Sequence, residues 1–167
     1  GVSSAASDVY KRQGELSSIN FPTALTSIGD SAFFACQSLT AVDIPATITQ
    51  IGPSAWAACT SLPAITVAAE NPNYTAVDGV LYTKDMTVLK VYPFAKSGVT
   101  FTVPDSVVEL EAYAFAYTGM QSIDGCASLR AIGDSAFYSC TALKSLPDAP
   151  KLETIGERAF YSCKALT

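Results

Sequence analysis

The 167-residue sequence contains no histidine. That absence removes Ser-His and Cys-His nucleophilic pairs and His-based metal sites together. Charge is scarce as well: only 15% of residues are charged, against about 25% in an average soluble protein. Ten Lys and Arg against fifteen Asp and Glu leave a net charge of −5, which argues against nucleic acid, whose phosphates need a basic patch. No run approaches the roughly 20 apolar residues of a spanning helix, and no basic start leads into the apolar stretch of a secretory signal. Also missing are a Gly-x-Gly-x-x-Gly or phosphate-loop pattern, an Asp-x-Asp-x-Asp calcium loop, and cysteine pairs at zinc-site spacing. Chemistry of single residues therefore names no reaction.

What is present is a 49% hydrophobic chain, enough for one folded domain. Residues 1–13, dominated by Ser, Ala, Asp, Lys and Arg, match nothing later in the chain. They are expected to be foreign to the fold, such as adapter read-through, leaving a single domain over 14–167. Within it the sequence repeats. Ile28-Gly29-Asp30-Ser31-Ala32-Phe33-Phe34-Ala35-Cys36 lies without gaps over Ile51 to Cys59, Ile132 to Cys140 and Ile155 to Cys163. A degenerate copy runs from Leu110 to Thr118. The leading aliphatic residues step by 23, 22 and 23 residues (28 to 51, 110 to 132, 132 to 155), a period typical of leucine-rich repeats. The remaining step of 59, from 51 to 110, reads as one repeat plus an insertion of 36, giving five units in all.

Each unit has a physical reading. Leu39, Val42 and Ile44, and likewise Leu62, Ile65 and Val67, follow the cysteine at a spacing that puts the last two on one face of a short strand. A third set begins Leu143, Leu146. Pro45 and Pro147 close two of these strands, since proline cannot donate to a ladder. The Ala-Phe-x-x-Cys stretch has near-helical spacing, so Phe33 and Cys36 should share the inner face of a short helical turn. Asp30, Ser31, Asp134 and Ser135 stand where a side-chain oxygen would cap that turn. One such unit cannot bury its apolar side alone, and stacking supplies the core. The expected fold is an α/β repeat solenoid: a right-handed leucine-rich repeat superhelix of short strands and short helical turns. About 70–105 is expected to be a β-hairpin excursion, with turn signals at Asn71-Pro72-Asn73 and Asp78-Gly79 and β-rich runs at 80–83 and 88–92.

From about Leu25 to Thr167 the chain resembles the BspA-like leucine-rich repeats of surface proteins from gut and oral bacteria and some protozoa. The resemblance rests on the recurring Ile-Gly-x-x-Ala-Phe-x-x-Cys followed by Leu-x-x-Ile-x-Ile-Pro. It rests also on an excursion matching Asn71, Tyr74, Asp78, Gly79, Val80, Leu81, Tyr82, Lys84 and Asp85. Met86, where a turn glycine is common, Glu111 in place of the repeat glycine, and the shortened Thr118-Gly119-Met120 depart from the pattern. The resemblance implies a secreted or cell-surface recognition or adhesion module, with no catalytic residue and no cofactor.

Candidate sites must be weighed against that repeat logic. Gly29-Asp30-Ser31 and Gly133-Asp134-Ser135 echo hydrolase motifs, but a nucleophile elbow wants a glycine where Phe33 and Phe137 stand, and Arg158 takes the serine place in the last unit. Hydrolysis is thus a remote reading beside turn capping. Cys36, Cys59, Cys140 and Cys163 share one repeat position and are expected to be buried free thiols. Cys126 lies outside the ladder and is the one candidate for a disulfide. Asn73-Tyr74-Thr75 is a formal glycosylation sequon with no expected role. Phe33, Trp56, Phe115, Phe137 and Phe160 should form one buried column. Phe34, Tyr138 and Tyr161 share the next position and should point partly outward, either packing between coils or forming a stripe suited to a protein or glycan partner. On the strand face, Ala41, Asp43, Ala64, Thr66 and Ser145 are small and weakly charged, and Asp43 and Thr66 join the aromatics as candidate contacts. The expected role is a non-enzymatic surface recognition module, with a purely structural spacer as the alternative. Phe160, Cys163 and Leu166 lack a polar cap after them, so end-to-end pairing with a second copy is expected.

Overall fold

The computed structural model describes residues 14–145 and 148–167. The expected foreign segment 1–13, and the strand positions Leu146 and Pro147, lie outside the described residues. Among the described residues, twelve short strands alternate with tight turns. One edge of the coils carries β1 (Ser27–Ile28), β3 (Gln50–Ile51), β7 (Val88–Val91), β9 (Glu109–Leu110), β11 (Ala131–Ile132) and β12 (Thr154–Ile155). The opposite strand face carries β2 (Val42–Ile44), β4 (Ile65–Val67), β8 (Thr100–Thr102) and β10 (Ser122–Asp124). Pairing between coils is parallel and in repeat register: Ile28 opposite Ile51, Leu89 opposite Leu110, Leu110 opposite Ile132, Ile132 opposite Ile155. Parallel strands need long crossovers, and each coil is one.

The excursion is smaller than the spacing suggests. β7 is the hairpin arm read from sequence, antiparallel to β6, but it also pairs in parallel with β9 and is the leading strand of a sixth unit. Tyr92 then stands where the others place Phe or Trp, 23 residues before Phe115, and stacks on it at 5.2 Å. What leaves the solenoid is the hairpin of β5 (Tyr74–Val77) and β6 (Val80–Thr83), whose second strand pairs antiparallel with β7. A six-stranded mixed sheet results, in the order β12-β11-β9-β7-β6-β5. Asn71 opens the hairpin. Its Nδ2 donates to the carbonyls of Pro45 and Ile48, both at 2.9 Å, and its Oδ1 accepts from the amides of Asn73 and Tyr74.

That hairpin divides the apolar interior. Leu81, with Tyr74 and Val91, packs among Phe33, Ile51, Trp56 and Leu62, whereas Val80 and Tyr82 pack with Tyr92, Phe115 and Phe137. Alternation along β6 sends neighbouring side chains into different cores, so the strand is buried on both faces.

The helical turns are not found. Among the described residues there is no helix. In the Ile28 coil the amides of Ala32, Phe34 and Cys36 donate three residues back, to Gly29, Ser31 and Phe33. The alternate amides of Ser31, Phe33 and Ala35 donate instead to the carbonyls of Pro53, Ala55 and Ala57 on the next coil, at 3.0, 2.8 and 2.9 Å. Half the donors that a helix would use internally thus form a ladder between coils. Ser31 and Ala35 turn the chain with φ of 55° and 58°, and the matching residues of the Ile51, Leu110, Ile132 and Ile155 coils do the same. The capping assignment changes with it: Asp134 Oδ1 accepts from the amide of Glu157 on the following coil, at 2.7 Å.

Candidate aromatic edge

The single column expected from sequence is split by the hairpin into two stacks, one in each core. Phe33 and Trp56 stack at 6.0 Å, Phe115 and Phe137 at 5.1 Å, and Phe137 and Phe160 at 5.2 Å, each within 11° of parallel. Phe160, on the last coil, is only half-buried. Beneath the rings run the ladder cysteines. The thiols of Cys59, Cys140 and Cys163 donate to the carbonyls of Phe33, Phe115 and Phe137, at 3.1, 3.0 and 3.1 Å. Each ties a coil to its predecessor. Burial pushes the Cys140 thiol up to about 11, and does the same for Cys126. All five cysteines are free in the structure, Cys126 included.

One residue further along each turn, the second set of aromatics reaches the surface. Phe34 and Tyr138 are half-buried, and Tyr161 is 56% exposed. They do not stand alone. Tyr138 stacks on Tyr161 at 5.0 Å and meets Tyr113 at 6.3 Å and Tyr117 at 5.6 Å. Phe34 reaches past the small, buried Ala57 to the same two tyrosines, 6.3 Å from each. The five rings form one connected edge from the Ile28 coil to the Ile155 coil.

Tyr113 and Tyr117 were not singled out from sequence. They sit in the left-handed region, at φ of 61° and 66°, where the sister coils place Ser, Ala or Arg. Such a backbone costs an aromatic residue about 1–3 kcal/mol. The signal was available: laid in register, the Leu110 copy differs from its sisters by carrying tyrosine at both positions. Neighbouring rings and burial raise the Tyr117 phenol, burial being the larger cause.

Asp43 and Thr66 are brought together elsewhere, on the strand face, where they are register partners of β2 and β4. The Thr66 hydroxyl donates to the Asp43 carboxylate, so the two satisfy each other. Ser31 Oγ lies 2.7 Å from Ser54 Oγ, and Ser135 is buried, which leaves neither serine in a nucleophile's setting. Among the described residues, no group of three or more Cys, Asp or Glu could hold a metal ion, and no helix is long and apolar enough to cross a membrane.

The model of the BspA type leucine rich repeat region matches residues 3–76 and 73–167, in six copies. The chain belongs to that family. Among solved structures, a leucine-rich repeat protein from Eubacterium ventriosum is 31% identical, with a TM-score of 0.71 over 90% of this chain and 46% of that one. The pneumococcal vaccine antigen PcpA is 25% identical, with a TM-score of 0.69 over 85% of this BspA-type chain and 47% of the antigen. A leucine rich cell surface protein from Faecalibacterium prausnitzii is also 25% identical, with a TM-score of 0.55 over 96% of this chain and 61% of its own. The chain thus spans about half the length of the first two. No curated protein matches it.

Proposed function

We propose that this BspA-type chain is a non-enzymatic recognition module, displayed at a bacterial cell surface or released from it, that binds a protein or glycan partner through its aromatic edge. The observation that carries the reading is the connected row Phe34, Tyr113, Tyr117, Tyr138 and Tyr161. Among the described residues it is the one connected row of rings outside the core, and it keeps two tyrosines in a costly backbone region. Packing between coils alone does not ask for tyrosine there, because Ser and Ala hold the same positions in sister coils. The family, the likeness to a vaccine antigen and the likeness to a leucine rich cell surface protein support the setting. Pairing of two copies through the last coil, where Ile155 and Tyr161 are 54% and 56% exposed, belongs to the same reading and is measured by sedimentation at increasing concentration.

The test is a binding survey of the chain and its Tyr113→Ser/Tyr117→Ala variant against arrays of extracellular proteins and glycans. Binding by the native chain that the variant loses, at unchanged thermal stability, supports the reading. Equal binding by both would place recognition on another surface, and none by either would favour a structural spacer.

A further inference from the structure

The aromatic edge offers ring edges and hydroxyls rather than ring faces. Tyr138 and Tyr161 lie 17° from parallel and cover one another, and Phe34 meets Tyr113 and Tyr117 edge-on. Sugars are usually held by a free ring face, and here Tyr138 and Tyr161 spend a face of each ring on one another. A ring edge is the positive part of the aromatic quadrupole and attracts carbonyl oxygens. Among the described residues, the phenol oxygens of Tyr113, Tyr117, Tyr138 and Tyr161 have no hydrogen-bond partner, and none is a buried orphan. Tyr161 is exposed and the other three are half-buried, so each phenol can offer one donor and two lone pairs at the surface.

Charge supplies the second half of the argument. One position before the left-handed turn residue, the coils carry Asp30, Asp134 and Glu157, all exposed. The one cation in the neighbouring column is Arg158, and the whole chain carries −5. Asp30 differs from Asp134 in a telling way. Its following coil has Pro53 where Glu157 offers an amide to Asp134, so the Asp30 carboxylate lacks that partner.

We infer that the occupant of the aromatic edge is a basic polypeptide segment. Its backbone carbonyls meet ring edges and phenol hydroxyls, and its Lys or Arg side chains reach the carboxylates of Asp30, Asp134 and Glu157. This inference rests on the aromatic edge being the recognition surface and adds the chemistry of what it takes.

The experiment measures fluorescence anisotropy of two labelled peptides of equal length. One is built of Lys, Arg, Gly and Ser; the other has Glu in place of every Lys and Arg. A neutral oligosaccharide ladder is titrated in parallel by calorimetry. The basic peptide is expected to bind, more weakly as salt rises, and the acidic peptide is not. Tyr113→Ser/Tyr117→Ala should weaken binding about tenfold or more. Asp30→Asn/Asp134→Asn, which keeps a side-chain oxygen to accept from the Glu157 amide, should weaken it severalfold, and Arg158→Ser, the sister-coil residue, should strengthen it. Equal binding of both peptides, or no binding of the basic one, overturns the inference. Oligosaccharide binding lost in the double tyrosine variant would overturn it too, while leaving the edge itself as the recognition surface.

Discussion

Lys90 and Glu111 form a buried ion pair, Nζ to Oε1 at 2.5 Å, where the hairpin rejoins the solenoid. Lys90 also lies over the Tyr74 ring, 5.6 Å from its centre. Glu111 occupies the position of the repeat glycine, and its second carboxylate oxygen is buried without a partner. Removing one member of a buried pair leaves the other uncompensated. Lys90→Met is therefore expected to cost about 3–5 kcal/mol, and Lys90→Met/Glu111→Leu much less. Urea denaturation of the single and double variants checks this, and equal losses would count against the pair.

The same carboxyl makes stability depend on pH. Burial holds Glu111 above its ordinary 4.5, with the Lys90 ammonium pulling the other way. The folded chain keeps that proton to higher pH than the unfolded chain does. Its contribution to stability is thus complete below the unfolded value and is lost as pH rises through the folded one. Glu111→Gln should lack this decline. Denaturation midpoints of both proteins across that window decide the matter, and parallel curves would refute the assignment.

Glycines in the repeat are not equivalent. A Cβ on Gly133 would lie 2.6 Å from the Ala112 amide nitrogen and 2.9 Å from the Leu110 carbonyl oxygen, whereas one on Gly29 meets nothing within 4 Å. Gly133→Ala should destabilise by about 1–3 kcal/mol or more, and Gly29→Ala should be nearly silent. Thermal melts of the two variants provide the comparison.

Cysteine reactivity should follow burial. With their thiols raised to about 11, Cys126 and Cys140 stay protonated and covered near neutral pH. Iodoacetamide should label half-buried Cys163 first and the others only on unfolding. Mass mapping after a brief pulse would show otherwise if Cys140 reacted with Cys163.

Tyr92 closes the column beside the hairpin, stacked on Phe115 and 5.1 Å from Phe101. Tyr92→Ala should cost about 3–5 kcal/mol, the range for deleting a buried aromatic. Tyr161→Ala, on an exposed ring, should cost far less; the two melting temperatures test the ranking.

The solenoid, the ring column and the thiol ladder were legible because they recur in register. The opening coil was equally legible and was passed over. Leu16, Ile19, Phe21 and Pro22 precede Leu39, Val42, Ile44 and Pro45 by 23 residues, and Ser18 bridges to Ala41. The Leu89 unit was hidden because it keeps only the aliphatic and the ring, without the glycine or the cysteine. The turns were misread for a physical reason. A succession of tight turns and a helix both put residues three apart on one side, and Ser or Ala at a left-handed position gives no warning. Tyr113 and Tyr117 became visible only once that position was known to face outward.

The hairpin wall also bears on how such a chain can change length. Each compartment keeps its own set of apolar neighbours, Leu81 on one side and Val80 with Tyr82 on the other. A turn can be added or lost in either compartment without disturbing the packing of its neighbour. The partition thus acts as a bulkhead between two separately packed lengths of the solenoid.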